Sequence, residues 1–315
     1  MRNQSLWSAR KALATFVPSP GLFGVCLMPL ARNSIRFAAS FGLAVSLFFG
    51  AVADLSACTL WAAVVPETGG TIISKNRDWK PDHRQILNFN RKGRYAYFGL
   101  YAVGNDSPGL KEGVNEKGLC VVTATAGSIP EDLRKQHRSK RGGAMSSILA
   151  NYATCDEILA NADKIFRDRS PGIMMISDRK KILTVEIGLN GRYALKVTES
   201  GHAAHTNHFL DESLSDCNIK IGKSSDTRYK RITELLEKST DPFDIATFVK
   251  MAKDRNAGPN NSIWRTGEKS ATLSSWILET PAQGDPKLHL VMANPGEEQK
   301  EFEVVLDKKF WAIGL

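Results

Sequence analysis

The sequence predicts an α+β protein in which two antiparallel sheets are flanked by helices. Short apolar, β-branched runs separated by Gly, Pro and Asn dominate its first globular part. A stretch with apolar residues three and four apart follows, and strand-like and helix-like patterns then alternate to the C-terminus. No repeat or low-complexity linker interrupts residues 58–315, a length that suits one large domain.

In chain order, TLWAAVV (59–65), TIISKN (71–76), YAYFGLYAV (95–103) and GLCVVTATA (118–126) read as strands. Residues 144–166, AMSSILANYATCDEILANADKIF, read as two helical segments. Two further strands lie in 172–188, joined by SDRKK as a hairpin, and a third in 192–200. TRYKRITELLEK (227–238) and DPFDIATFVKMAKD (241–254) return to helical spacing, the second with Asp241 expected as cap and Pro242 in the first turn. LSSWILET (273–280), KLHLVMAN (287–294) and EFEVVLD (301–307) complete the pattern as strands.

The 315 residues are 42% hydrophobic and 24% charged, which argues for a globular chain and against disorder. Ahead of the globular region, Phe37 to Ala53 carries no charge. Arg32 and Arg36 precede it, and Ser56 and Ala57 close it. Basic, then apolar, then small is the layout of a secretory signal, and the run is shorter than the ~20 apolar residues of a spanning helix. Residues 1–57 are therefore expected to be an extension plus a signal that is removed, leaving a periplasmic or secreted domain of residues 58–315 that meets a membrane only in transit.

Removal takes away five Lys/Arg and one acid, so the formal charge falls from +9 to +5. The one dense basic run, Arg134 to Arg141, lacks interleaved aromatics and reads as a solvated loop, so no nucleic-acid partner is expected. None of the five cysteines forms a CxxC pair or a zinc-ligand spacing, and no metal or organic cofactor is expected. Cys120 lies in the apolar run LCVV and reads as a buried, inert thiol, and the spacings of Cys120, Cys155 and Cys217 do not choose disulfide partners.

Cys58 follows the greasy segment directly, in LSACTLWAA. Three roles compete: a lipidated cysteine in a lipobox-like LSAC, a packed structural thiol, and a nucleophile. A cysteine that begins a processed chain carries its own base, because an α-amine titrates near ~8 whereas a lysine near ~10.4 stays charged. About twenty residues on, SKNRDW brings Asn76, Arg77, Asp78 and Trp79, the separation of two strands joined by a hairpin. Adjacent strands would set Asp78 beside the new terminus, where a carboxylate can hold an ammonium, while a nearby Arg or Lys favours a thiolate.

ACTLWAA, SKNRDW, EGVNEKGLCVV, HTNHF and SSDTRYKRI, in this order, resemble the N-terminal-nucleophile amidases that include penicillin V acylase, bile salt hydrolase and the isopenicillin N acyltransferase group. NSIWRTG and ANPGE resemble the acyltransferase-like bacterial branch. The resemblance covers residues 58–315 and implies an αββα four-layer sandwich. It implies Cys58 as nucleophile, Asp78 as the carboxylate that positions it, Asn207 as an oxyanion donor and Arg228 as the arginine near the thiol.

Two departures stand out. Where the bile salt hydrolase pattern has an arginine three residues before the aspartate, this chain has Lys75, with Arg77 directly before Asp78; both are candidates for substrate contact, and lysine lacks the bidentate fork. The position of the relatives' oxyanion-side Asn or Tyr falls at Thr125, so a main-chain N–H is expected to serve there. His205 and His208 are assigned structural or substrate-contact roles, and Trp61, Trp264 and Trp276 core or pocket-wall roles.

The expected reaction is hydrolysis of a linear amide, an N-acyl amino compound, through a thioester on Cys58, with acyl transfer if an amine replaces water. A lipid-anchored binding protein and a related cysteine-nucleophile dipeptidase are the alternatives, although the dipeptidase's aspartate-glycine turn is absent from PETGGTIISKN. Homo-oligomerisation is left open.

Overall fold

The computed structural model describes residues 57–313 apart from 68, 105–106 and 142–143. The expected leader, including Cys26, lies outside the described residues except for Ala57. Among the described residues no helix is long and apolar enough to cross a membrane.

Among the described residues thirteen strands form two sheets in which every pairing between strands is antiparallel. In the first, β10 (His202–His205), β1 (Thr59–Val65), β2 (Gly70–Trp79), β11 (Ala271–Thr280), β12 (Lys287–Met292) and β13 (Lys300–Val305) lie side by side in that order. The second runs β3 (Arg84–Asn90), β4 (Tyr97–Val103), β5 (Gly109–Asn115), β6 (Cys120–Ala124), β7 (Gly172–Ser177), β8 (Ile182–Ile187) and β9 (Tyr193–Thr198).

Side chains alternate across each strand, and the alternation decides the layers. Leu60, Ala62 and Ile73 of the first sheet meet Leu100, Val114 and Val122 of the second in a central core. Their neighbours Trp61, Ala63 and Ile72 face the other way and pack on Ile232 and Phe248. Those residues belong to helices α5 (Lys223–Glu237) and α6 (Ile245–Ala252). On the far side Val121, Ile176 and Val185 pack on Ile148, Ile158 and Phe166. These come from α2 (Ala144–Asn151), α3 (Cys155–Leu159) and α4 (Ala162–Phe166). The result is helix, sheet, sheet, helix, the four-layer αββα sandwich.

Several details differ from the expected elements. β3, β5 and β10 were not anticipated: β3 is an edge strand, β5 (GLKEGVN) carries two glycines and adjacent charges that blur its alternation, and β10 is only four residues long. The basic run expected as a loop begins inside a short helix, α1 (Glu131–Gln136). Asp241 does not cap a helix. Asp244 does, its carboxylate accepting from the Thr247 N–H, because Pro242 and Phe243 precede the first helical turn rather than forming it. Asp241 instead pairs with Lys250 on the surface. Trp61 and Trp276 are fully buried and Trp264 nearly so. Cys58, Cys120, Cys155 and Cys217 are all buried free thiols, and burial raises the Cys120 pKa far above the ordinary thiol range.

Candidate active site

The site grows out of the β1–β2 hairpin. Gly69 adopts φ 62°, a left-handed value that glycine takes without strain, in the turn between the two strands. The register this fixes sets Leu60 opposite Lys75 and Thr59 opposite Asn76, so Cys58 falls beside Arg77 at the end of the ladder. Cys58, Lys75 and Arg77 therefore face the space between the sheets, while Thr59, Asn76 and Asp78 face the helix layer. The following strand makes a second use of register. A bulge in β11 between Thr272 and Ser274 leaves Thr272 opposite Asp78 and Ser274 opposite Arg77, so two residues two apart serve opposite faces.

On the helix side Asp78 is wholly buried, and its Oδ1 accepts a 2.7 Å hydrogen bond from the Thr272 hydroxyl. Its Oδ2 has no hydrogen-bond partner. Burial pushes its pKa up to about 6, opposed by Arg265, Arg228, the Thr272 hydroxyl and Arg77. Arg228 of α5, also wholly buried, donates through Nη1 to the Cys58 carbonyl at 2.6 Å and to Thr59 Oγ1 at 2.8 Å. Through Nη2 it donates to Asn207 Oδ1 at 2.9 Å. One planar guanidinium thus fixes the cysteine's backbone and the asparagine's side-chain amide together.

Asn207 follows β10 in the loop HTNHF, which is pinned to the start of α5. Ser225 Oγ receives the Asn207 N–H at 3.0 Å and lies 2.9 Å from Thr206 Oγ1 and 2.8 Å from His208 Nδ1. The Asn207 Nδ2 donates to the Thr125 carbonyl at 2.9 Å, so the asparagine ties the first sheet's edge to the end of β6. His205 makes a 2.7 Å contact with Glu186 and His208 packs edge-on to Tyr229, both structural arrangements.

Between the sheets a cleft of about 250 Å³ is lined by Cys58, Lys75, Arg77 and Thr125, all identified in the sequence. Trp79 and Lys111 also line it, and neither was singled out as a site residue there. Asp78, Asn207 and Arg228 stand behind the lining rather than in it. Lys75 is committed elsewhere: its Nζ meets Glu112 Oε2 at 2.6 Å and the Lys111 carbonyl at 2.9 Å, while Glu112 Oε1 accepts from Ser274 at 2.9 Å. It is part of a buried ion pair that links the two sheets, and it lines the cleft at the same time. Glu112 and Lys111 went unread because they lie on an unanticipated strand, Thr272 because its place depends on the β11 bulge, and Ser225 because only the fold brings the start of α5 to the HTNHF loop. A larger cavity of about 510 Å³ opens beside β9 and β10, but it contains no cysteine and lies away from this chemistry. Among the described residues no group of three His, Cys, Asp or Glu could hold a metal ion.

The αββα sandwich, with the polar cluster around its first strand, is the scaffold of an enzyme of the acyl-transfer class. The chain belongs to the acyl-coenzyme A:6-aminopenicillanic acid acyl-transferase family, whose description matches residues 65–297. Asp78, Asn207 and Arg228 lie within the matched segment, and Cys58 lies ahead of it. Among solved structures, a mutant of the conjugated bile acid hydrolase from Clostridium perfringens is similar at a TM-score of 0.46 and 14% identity, covering 78% of this chain and 97% of that one. The N-acylethanolamine-hydrolyzing acid amidase ortholog of Caenorhabditis elegans is similar at 0.47 and 16% identity, covering 72% and 94%. No curated protein matches the chain.

Proposed function

We propose that the protein hydrolyses the C–N bond of an N-acyl amino compound, with Cys58 as nucleophile once cleavage after Ala57 has freed its α-amine. The observation that carries this reading is Asp78 Oδ2, a buried carboxylate oxygen with no partner on the strand that pairs with β1. An unsatisfied buried acceptor costs ~1–3 kcal/mol, and an ammonium on Cys58 is the donor that would satisfy it. Arg228, which already grips the Cys58 carbonyl, keeps that terminus in register.

In the proposed cycle the neutral α-amine takes the Cys58 thiol proton as sulfur attacks the amide carbon. The tetrahedral oxyanion is held by the second Asn207 Nδ2 proton and a main-chain N–H near Thr125. Collapse breaks the C–N bond as the ammonium protonates the departing amine, leaving a thioester. Water, deprotonated by the same amine, attacks the thioester, and the thiol regains its proton as the acid leaves. An amine in place of water would make the reaction an acyl transfer.

The same reading makes the protein an exported one, its signal residues removed after Ala57 in the step that creates the active terminus, and residues 58–315 its single domain. The lipid-tether alternative fits the geometry poorly, because the Cys58 side of the first strand faces the sandwich interior and the residue is only 5% exposed. A panel of penicillin V, conjugated bile salts, acyl-homoserine lactones and N-acyl amino acids tests the proposal. At least one is expected to be cleaved by the processed wild type, with a Cys58→Ser variant inactive. Undiminished cleavage by that variant would overturn it.

A further inference from the structure

Asn207 is buried, and all but one of its hydrogen-bonding groups are committed. Its N–H reaches Ser225 Oγ at 3.0 Å, and its carbonyl accepts from the Ser128 N–H at 3.0 Å. Its Oδ1 accepts from Arg228 at 2.9 Å, and its Nδ2 gives one proton to the Thr125 carbonyl at 2.9 Å. A guanidinium only donates and a carbonyl only accepts, so the amide has one orientation and keeps one Nδ2 proton to give. Where that proton points depends on where the main chain of Asn207 is held.

Glu186 of β8 grips the two ends of the HTNHF loop. Its Oε1 lies 2.7 Å from His205 Nε2 and accepts from the Leu210 N–H at 2.9 Å, while Oε2 accepts from the Asp211 N–H at 3.2 Å. The middle of the loop is left to Ser225, buried on α5 three residues before Arg228.

A serine hydroxyl has one proton and two lone pairs, and three neighbours use them all. The Asn207 N–H takes one lone pair. Thr206 Oγ1 lies 3.0 Å from the Ser225 carbonyl, which can only accept, so Thr206 gives its proton there and receives that of Ser225 Oγ at 2.9 Å. The second lone pair falls to His208, whose Nδ1 at 2.8 Å therefore carries the proton. Burial lowers the His208 pKa, and a neutral Nδ1–H imidazole meets this requirement. Removing the hydroxyl would leave the N–H groups of Asn207 and His208 without an acceptor, and the loop could satisfy them only by moving.

We infer that Ser225 is a positioning residue, its hydroxyl fixing the main chain of Asn207 so that the uncommitted Nδ2 proton keeps the direction in which the proposed cycle uses it. Its link to rate rests on the proposed function; its hold on Asn207 stands separately.

The test uses the full chain, expressed with its leader, on an amide that the wild type cleaves, with rates taken per folded molecule. Ser225→Ala is expected to lower kcat by about 10-fold to 100-fold, the scale of a displaced catalytic donor, with KM within about 2-fold of wild type. Asp244→Ala, a cap loss remote from the cleft, controls for destabilisation and is expected to keep the wild-type kcat. In an Asn207→Ala background Ser225→Ala is expected to slow turnover by less than about 2-fold, because it acts through the asparagine. An unchanged kcat in Ser225→Ala, or a fall that persists in the Asn207→Ala background, would overturn the inference.

NMR of Cys58→Ser, where no turnover is expected, reads the hold on Asn207 without chemistry. The Asn207 main-chain amide is expected to resist hydrogen exchange, and its side-chain amide signals, assigned as the pair absent from Asn207→Ala, are expected to shift in Ser225→Ala. Free exchange of that main-chain amide, or side-chain signals that stay put, would overturn the inference whether or not any amide is cleaved. Active Cys58→Ser, or a wild type that cleaves no amide while these signals behave as expected, would sink the nucleophile reading and uphold the hold of Ser225 on Asn207.

Discussion

At the scale of single residues the account rests on Arg228 and Asp78. Arg228 satisfies the Cys58 carbonyl, Thr59 Oγ1 and Asn207 Oδ1 at once, in full burial. Arg228→Met leaves those acceptors buried and the Asp78 charge less well compensated. It is expected to lower stability by ~3 kcal/mol or more in chemical denaturation, and Arg228→Lys is expected to recover only part of that. In the proposed function Asp78 governs the acid side of activity. Burial raises its pKa to about 6, so the carboxylate that would hold the Cys58 ammonium is lost as pH falls through that value. A freed ammonium adds a cation and moves the limb lower. Thr272→Val removes a hydrogen bond to the ionised form, and the acid limb of kcat/KM is expected to shift upward in pH. A profile that stays put in Thr272→Val would show that Asp78 is not the titrating group. For stability the sign is opposite to that of an ordinary paired carboxylate. The folded unprocessed chain holds this proton to about 6 and an unfolded chain releases it near 3.8, so this group's contribution falls as pH rises between those values.

At the scale of elements the β1–β2 register and the β11 bulge decide which side chains meet. A one-residue slip would send Cys58 and Arg77 to the helix layer and Asp78 to the interior. The hairpin was legible because its strands are apolar and β-branched on both sides of a Gly-rich turn. β5 was not, and with it Lys111 and Glu112 stayed invisible, since two glycines and a Lys-Glu pair look like a loop until a partner strand is known. The burial of Arg228 was equally hidden: on α5 it sits among Asp226, Lys230 and Arg231, and only the helix's packing over the end of β1 turns it inward. The cap of α6 shows a local ambiguity of the same kind, because DPFD offers two aspartates and the structure uses the second. Asp244→Ala is expected to cost ~1 kcal/mol in thermal or chemical unfolding. Asp241→Ala, which removes a solvent-exposed pair with Lys250, is expected to change stability by less than ~0.5 kcal/mol. Equal effects from the two would contradict the observed cap.

At the scale of the whole molecule, two sheets carry separate parts of one cleft. The first supplies Cys58 and Arg77, the second Lys111 and Thr125, and the Lys75–Glu112 pair and the Asn207–Thr125 hydrogen bond fasten them across the gap. Two antiparallel sheets with flanking helices were readable from the alternation of patterns and their αββα layering from the family resemblance, whereas the fastening was not readable, because it depends on residues far apart in sequence. The arrangement gives export a chemical role in the proposed function: a peptide bond at Ala57–Cys58 removes the base, and hydrolysing it supplies the base and an ammonium for Asp78. The most direct test compares amide hydrolysis by the unprocessed chain with that by the chain beginning at Cys58, on a substrate the processed wild type cleaves. The account predicts turnover by the second alone, lost in Cys58→Ser. Equal rates from the unprocessed chain, its Cys58 amine still held in the peptide bond, would contradict it.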